Sequence, residues 1–207
     1  MFYLVKTPWL IERVVYPGYV WSLSGAQKVV YLSFDDGPHP EITPFVLETL
    51  RRFDAKATFF CIGNNVVKYP DVYRQILEEG HAVGNHSHHH LNGWKTGKDA
   101  YVKDVTQAAQ HINTTLYRPP YGRITRGQAS ILQGKFGLRI VMWSVLSGDF
   151  DKELSPEGCL SNSRQAGPGS IVVFHDSEKA FSRMRYALPR LLEHYRERGF
   201  LFKNIFL

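Results

Sequence analysis

The stretch Val29-Val30-Tyr31-Leu32-Ser33-Phe34-Asp35-Asp36-Gly37-Pro38 decides how this chain is read. Its first half is β-branched and aromatic, the composition of a buried strand. Gly37-Pro38 ends the strand, because Pro38 has no N–H to give to a ladder. Two adjacent carboxylates, Asp35 and Asp36, therefore stand where a strand stops. In α/β proteins that is where ligands bind. Like charges so close repel, so the pair calls for a cation or a shared proton. Taken alone, Asp-Asp-Gly-Pro is also ordinary turn chemistry, and the rest of the chain has to decide between the two.

Outward from this stretch, strand-like and helix-like segments alternate. Strands are predicted at 28–34, 57–62, 81–85, 114–118, 138–143, 170–174 and 200–202. Helices are predicted from about Pro44 to Phe53, from Pro70 to Gly80, from Asp99 to Ile112, after a Thr125 cap, after Ser155-Pro156, and from Phe181 to Arg198. The alternation specifies an α/β fold with a mainly parallel sheet. About seven strands in roughly 175 residues suit a small or irregular barrel, since a full eightfold one takes roughly 250. Residues 1–27 read as an N-terminal extension that Trp9, Tyr16, Tyr19 and Trp21 pack onto a single domain spanning 28–207.

Composition sets outer limits. The chain has 207 residues, 43% of them apolar and 14% aromatic, with a net charge of +6. That length allows one sizeable core. The aromatic content suits a rich core or a groove that stacks sugar rings. Lys and Arg are scattered, with no basic run, so nucleic acid is not the expected partner. Cys61 and Cys159 lie far apart without a CxxC partner, and two buried free thiols are expected. No apolar run is long enough to span a membrane. Met1 to Val5 is too short for the core of an export signal before Lys6 intervenes, so the sequence as written reads as cytoplasmic.

Groups able to ligate metal, carry a proton or hold charge follow five of the strands: Asp35-Asp36, His86-Ser-His-His-His90, Arg118-Pro-Pro-Tyr-Gly122, Asp149, and His175-Asp176. A parallel sheet gathers those ends on one face. The four-residue spacing of His86 and His90 predicts one helical turn with both imidazoles on the same side. Asp36 can add an oxygen ligand, leaving positions open for water and substrate. The same three groups also describe the facial triad of non-haem iron oxygenases. His88 and His89 face elsewhere and are read as structural or exposed. Two prolines hold Arg118 extended, which suits fixing a carboxylate, and Asp35 lies on the same predicted face. His175 ends an apolar strand, where Asp149 is a candidate to favour its protonated form.

These motifs, in this order, resemble the NodB-homology polysaccharide deacetylases, carbohydrate esterase family four, over about residues 28–203. The resemblance implies a distorted (β/α) barrel and metal-dependent removal of N- or O-acetyl groups from a sugar or polysaccharide such as chitooligosaccharide or peptidoglycan. It implies Asp36, His86 and His90 as ligands of one divalent ion, Zn²⁺ first, with Co²⁺, Ni²⁺ or Mn²⁺ as alternatives. It makes Asp35 the general base and His175 the general acid. Arg118 would hold Asp35, Asp149 would tune His175, and the Tyr121 N–H would stabilise the oxyanion. Phe150, Phe174, Pro119 and Trp143 would line the substrate pocket. Two departures from the family pattern stand out. Leu146-Ser-Gly-Asp149-Phe150 replaces Asp-Ser-x-Asp-Trp, and Phe174 is read in place of the fifth motif's Leu, where it would narrow the pocket if it points inward. A C–N hydrolase of small cyclic amides and a non-catalytic glycan-binding module remain the alternatives within this resemblance.

Overall fold

The computed structural model describes residues 3–207. Met1 and Phe2, the start of the segment read for an export signal, lie outside the described residues. Among the described residues eight strands form: β1 (Val29–Asp35), β2 (Ala57–Cys61), β3 (Ala82–Asn85), β4 (Leu116–Tyr117), β5 (Arg139–Ile140), β6 (Val145–Leu146), β7 (Ile171–His175) and β8 (Leu201–Phe202). Seven of them run parallel in the order β5-β4-β3-β2-β1-β7-β6, a curled half-barrel, and β8 pairs with the start of β1. The helices are α1 (Ile42–Arg52), α2 (Gly63–Lys68), α3 (Pro70–Glu78), α4 (Lys98–Ala108), α5 (Arg126–Phe136), α6 (Pro156–Ser163) and α7 (Glu178–Arg196). Among the described residues, no helix is long and apolar enough to cross a membrane.

Strand alternation separates an outer from an inner face of the sheet. Leu32, Phe34, Phe59, Val172 and Phe174 face outward against Leu47, Leu188 and their neighbours on α1 and α7. Phe60, Leu116, Val141, Ile171 and Ile205 fill the inside of the curl. Helix ends follow sequence chemistry closely. Thr125 and Gln128 form a capping box on α5, Gly137 ends that helix in the left-handed region, and Ser155 caps α6 ahead of Pro156. Cys61 and Cys159 are both buried and free.

The predicted strand at 138–143 is corrected to the shorter β5, and β6 follows beyond its predicted end. On the edge away from β4, the end of β5 and the residues after it pair with the segment upstream of β1. Val20 donates to Ile140 O (2.8 Å) and accepts from Met142 N (2.7 Å). Thr7 N reaches Ser144 O (3.0 Å), and Leu146 N reaches Val5 O (2.8 Å). The N-terminal segment thus laces the gap between the sheet's edge strands, which covers edges that would otherwise be open for pairing. Tyr16, Tyr19 and Trp21 pack it down, as predicted, but Trp9 does not and remains 69% exposed. Ile11, on the short π-helical turn Ile11–Val15, packs inward in its place. α2 escaped the sequence reading because it spans only six residues and buries only Gly63 and Val66, too little to set a period.

Candidate active site

The register sets Asp35 directly opposite His175 on β7 and Phe60 on β2. Ser33 and Asp35 share the inner face of β1, where Arg118 meets both. Its guanidinium donates to Asp35 Oδ1 (2.7 Å), Ser33 Oγ (2.8 Å) and the carbonyls of Val141 (3.1 Å) and Met142 (2.8 Å). Phe60 lies 4.0 Å below it. Arg118 is fully buried, and four of its five N–H groups donate in these bonds.

Asp36, His86 and His90 bring one oxygen and two nitrogens within 4.8 Å of one another. The histidine segment is not the helical turn that its spacing predicts. It is an irregular loop with Ser87 and His90 at φ 63° and 57°. Asp104, buried on α4, accepts from the N–H groups of His88 and His89 and holds the His89 ring at 2.6 Å. This loop still brings the rings of His86 and His90 to 5.0 Å. His86 Nδ1 meets Arg118 O at 2.7 Å, which leaves Nε2 as the free lone pair. Burial pushes the His86 imidazole down to about 4, so the ring is neutral.

These groups fit a divalent cation. Asp36 Oδ1 is buried without a hydrogen bond, 3.2 Å from His90 Nε2 and 3.8 Å from His86 Nε2. An orphaned carboxylate oxygen beside two imidazole nitrogens is the donor set that transition metals take. Burial alone would raise the Asp36 carboxyl, but contact with His90 and the nearby His175 and His86 hold it well below the usual range.

Asp176, to which the sequence reading gave no role, secures the Asp36 loop. It accepts from Gly37 N (2.9 Å) and from the Thr43 hydroxyl. A Cβ at Gly37 would run into that carboxylate, so only glycine fits there. Burial, with Asp36 nearby, pushes Asp176 up to about 8. Its place beside His175 at the end of β7 marks it in the sequence, but its contacts with Gly37 and Thr43 do not show there.

His175 is held through its Nδ1 by Asp149 Oδ1 (2.7 Å), and its backbone N–H donates to Asp149 Oδ2 (2.7 Å). Arg183 on α7, unmarked by any motif, donates to Asp149 O (2.6 Å). Burial disfavours a charged imidazole here, but Asp149, followed by Asp36 and Asp35, raises His175 to about 10. Phe150 stands edge-on to His175 at 5.4 Å. Tyr121, at φ 59°, brings its ring 4.6 Å from His90. Trp143 lies 5.9 Å from the Arg118 guanidinium, and Pro119 is buried behind the Tyr121 turn.

Phe174 is corrected. It is fully buried on the outer face, stacked on Phe34 at 6.0 Å, and does not reach the pocket. Residues alternate along β7, so the neighbour of His175 on the inner face is Val173, two residues back.

Ionisable groups, three of them placed where they could hold a cation, gather at the carboxyl ends of the parallel strands, where active sites of α/β-barrel enzymes lie. Residues 23–141 match the polysaccharide deacetylase family. A peptidoglycan-N-acetylglucosamine deacetylase of Bacillus cereus is 31% identical over 205 residues, covering 95% of this chain and 96% of the relative. A chitooligosaccharide deacetylase of Azorhizobium caulinodans is 38% identical over 160 residues, covering 72% and 74%. A crystal structure of a peptidoglycan N-acetylglucosamine deacetylase bound to a naphthyl N-oxidanyl-benzamide superposes with a TM-score of 0.86 at 29% identity, covering 96% and 95%. The chain belongs to the polysaccharide deacetylase family, the carbohydrate esterases of family four, and is a hydrolase of that class.

Proposed function

We propose that the protein is a metal-dependent deacetylase that removes the acetyl group from an N-acetylglucosamine residue of a glycan, peptidoglycan or chitooligosaccharide. One observation carries this reading. An arginine-held carboxylate, Asp35, and an aspartate-held imidazole, His175, sit side by side on adjacent strands next to the Asp36-His86-His90 cluster. Hydrolysis of an amide needs a base for the water and an acid for the departing amine. Asp36, His86 Nε2 and His90 Nε2 would hold one divalent ion, Zn²⁺ first, which when bound would supply Lewis acidity toward the acetyl carbonyl and the attacking water. Asp35 takes a proton from that water. The Tyr121 N–H hydrogen-bonds the developing oxyanion. His175 gives its proton to the leaving nitrogen, while Phe150 and Trp143 pack around the acetyl methyl. Residues 28–207 form the catalytic domain, and the segment before them completes its wall. An open, aromatic trough beside the site favours a glycan over a small cyclic amide.

The test is acetate release from N-acetylglucosamine oligomers. Activity falls to background after chelation and returns with Zn²⁺. Tight zinc binding without any release would overturn the reading and leave a glycan-binding module.

Asp149→Asn gives a pH signature. His175 works protonated, so activity is lost as pH rises through its pKa, and Asp149 is the strongest of the groups that raise it. Removing that charge moves the alkaline limb of the rate profile down by about a unit or more. A limb that stays in place would assign the acid to another group.

A further inference from the structure

The short helix α2 touches, through its first turn, both segments that carry the candidate cation ligands. Toward the Asp36 turn, Ile62 N donates to Gly37 O (2.9 Å), and the Asn65 side chain donates from Nδ2 to Asp36 O (2.7 Å). Toward the histidine loop, Gly63 N donates to Ser87 O (2.9 Å) and Asn64 N donates to His88 O (3.1 Å). The first N–H groups of a helix lack acceptors within it. Here they join two loops that are far apart in sequence. Gly63 lets the histidine loop come this close, since a Cβ there would fall 2.6 Å from His88 Nδ1 and 2.9 Å from Ala108.

The Asp36 turn needs such support. Asp36 sits at φ 83°, a left-handed conformation that a residue with a Cβ keeps only where its surroundings impose it. Its Oδ1 accepts no hydrogen bond, so the direction of the carboxylate rests on the backbone that carries it. Asp176 holds that backbone from the β7 side, at Gly37 N. From the α2 side, Asn65 holds the carbonyl of Asp36 itself.

We propose that Asn65 is a positioning residue for the cation cluster. It fixes the Asp36 backbone so that the carboxylate stays in register with His86 and His90, and it thereby sets the affinity of the three groups for a divalent ion. The proposal rests on the reading of Asp36, His86 and His90 as ligands.

Zinc affinity, measured by competition with a chromophoric chelator, tests it without turnover. Asn65→Leu keeps the size of the side chain and removes the donor. It is expected to weaken zinc binding about tenfold, the low end for losing a group that supports a metal ligand. Asp36→Gly weakens binding by removing the carboxylate, and glycine takes φ 83° without strain. Adding Asn65→Leu to Asp36→Gly is expected to change nothing further, because Asn65 acts through the Asp36 carboxylate. A general loosening of the fold would lower affinity in both backgrounds. Co²⁺-loaded protein gives a second readout, the visible absorption bands, which shift in Asn65→Leu because the ligand geometry changes. Wild-type affinity in Asn65→Leu, an equal loss in the Asp36→Gly background, or an unshifted Co²⁺ spectrum overturns the proposal. Wild-type protein that takes up no zinc sinks the ligand reading itself. Zinc binding that weakens with Asp36→Gly but not with Asn65→Leu sinks only the role of Asn65.

Discussion

Asp35→Asn is expected to lose about a thousandfold in acetate release while keeping its metal, within the usual range for removing a general base. Asparagine has the shape of aspartate and still accepts the Arg118 hydrogen bond at Oδ1, so the site is not rearranged. It cannot take a proton from water. Asp36, His86 and His90 are untouched, and zinc content by elemental analysis stays at the wild-type value. Wild-type turnover in this variant would remove Asp35 from the mechanism.

The second large effect is on stability. Arg118 is fully buried, and its loss strands the Asp35 carboxylate, itself buried, along with the carbonyls of Val141 and Met142. Breaking a buried pair by removing one partner costs about 3–5 kcal/mol, so Arg118→Met is expected to lower Tm by roughly 10 °C or more. Adding Asp35→Asn to that variant recovers part of the loss, because the uncompensated charge is gone. Thermal denaturation of the four proteins measures both. An unchanged Tm in Arg118→Met would mean that the ion pair is not what holds the strand ends together.

Much of this site is legible in the sequence, because its parts are local. Apolar runs ending in Asp35, Arg118 and His175 read as strands with chemistry at their tips, and the parallel sheet does gather those tips. The histidine loop was misread for a physical reason. Two residues four apart meet on a helical turn, but they also meet across a loop with two left-handed residues, and spacing cannot distinguish the two. Phe174 was misplaced by matching a motif instead of counting alternation back from His175. The part played by Asp176, the contact of Arg183 and the short strand at Val145–Leu146 were out of reach. Each depends on partners far away in sequence, such as Thr43 for Asp176, Asp149 for Arg183 and Val5 for Leu146.

The lacing of the sheet's edges by residues 5–22 bears on the order in which the molecule assembles. These residues leave the ribosome well before their hydrogen-bond partners at Ile140 to Leu146. Until those partners are synthesised, Trp21 and Tyr19 have nowhere to dock. Pairings that close so long a loop form late, because chain entropy is spent before contacts return it. An arm made well before its partners is thus among the last pieces to be set in place.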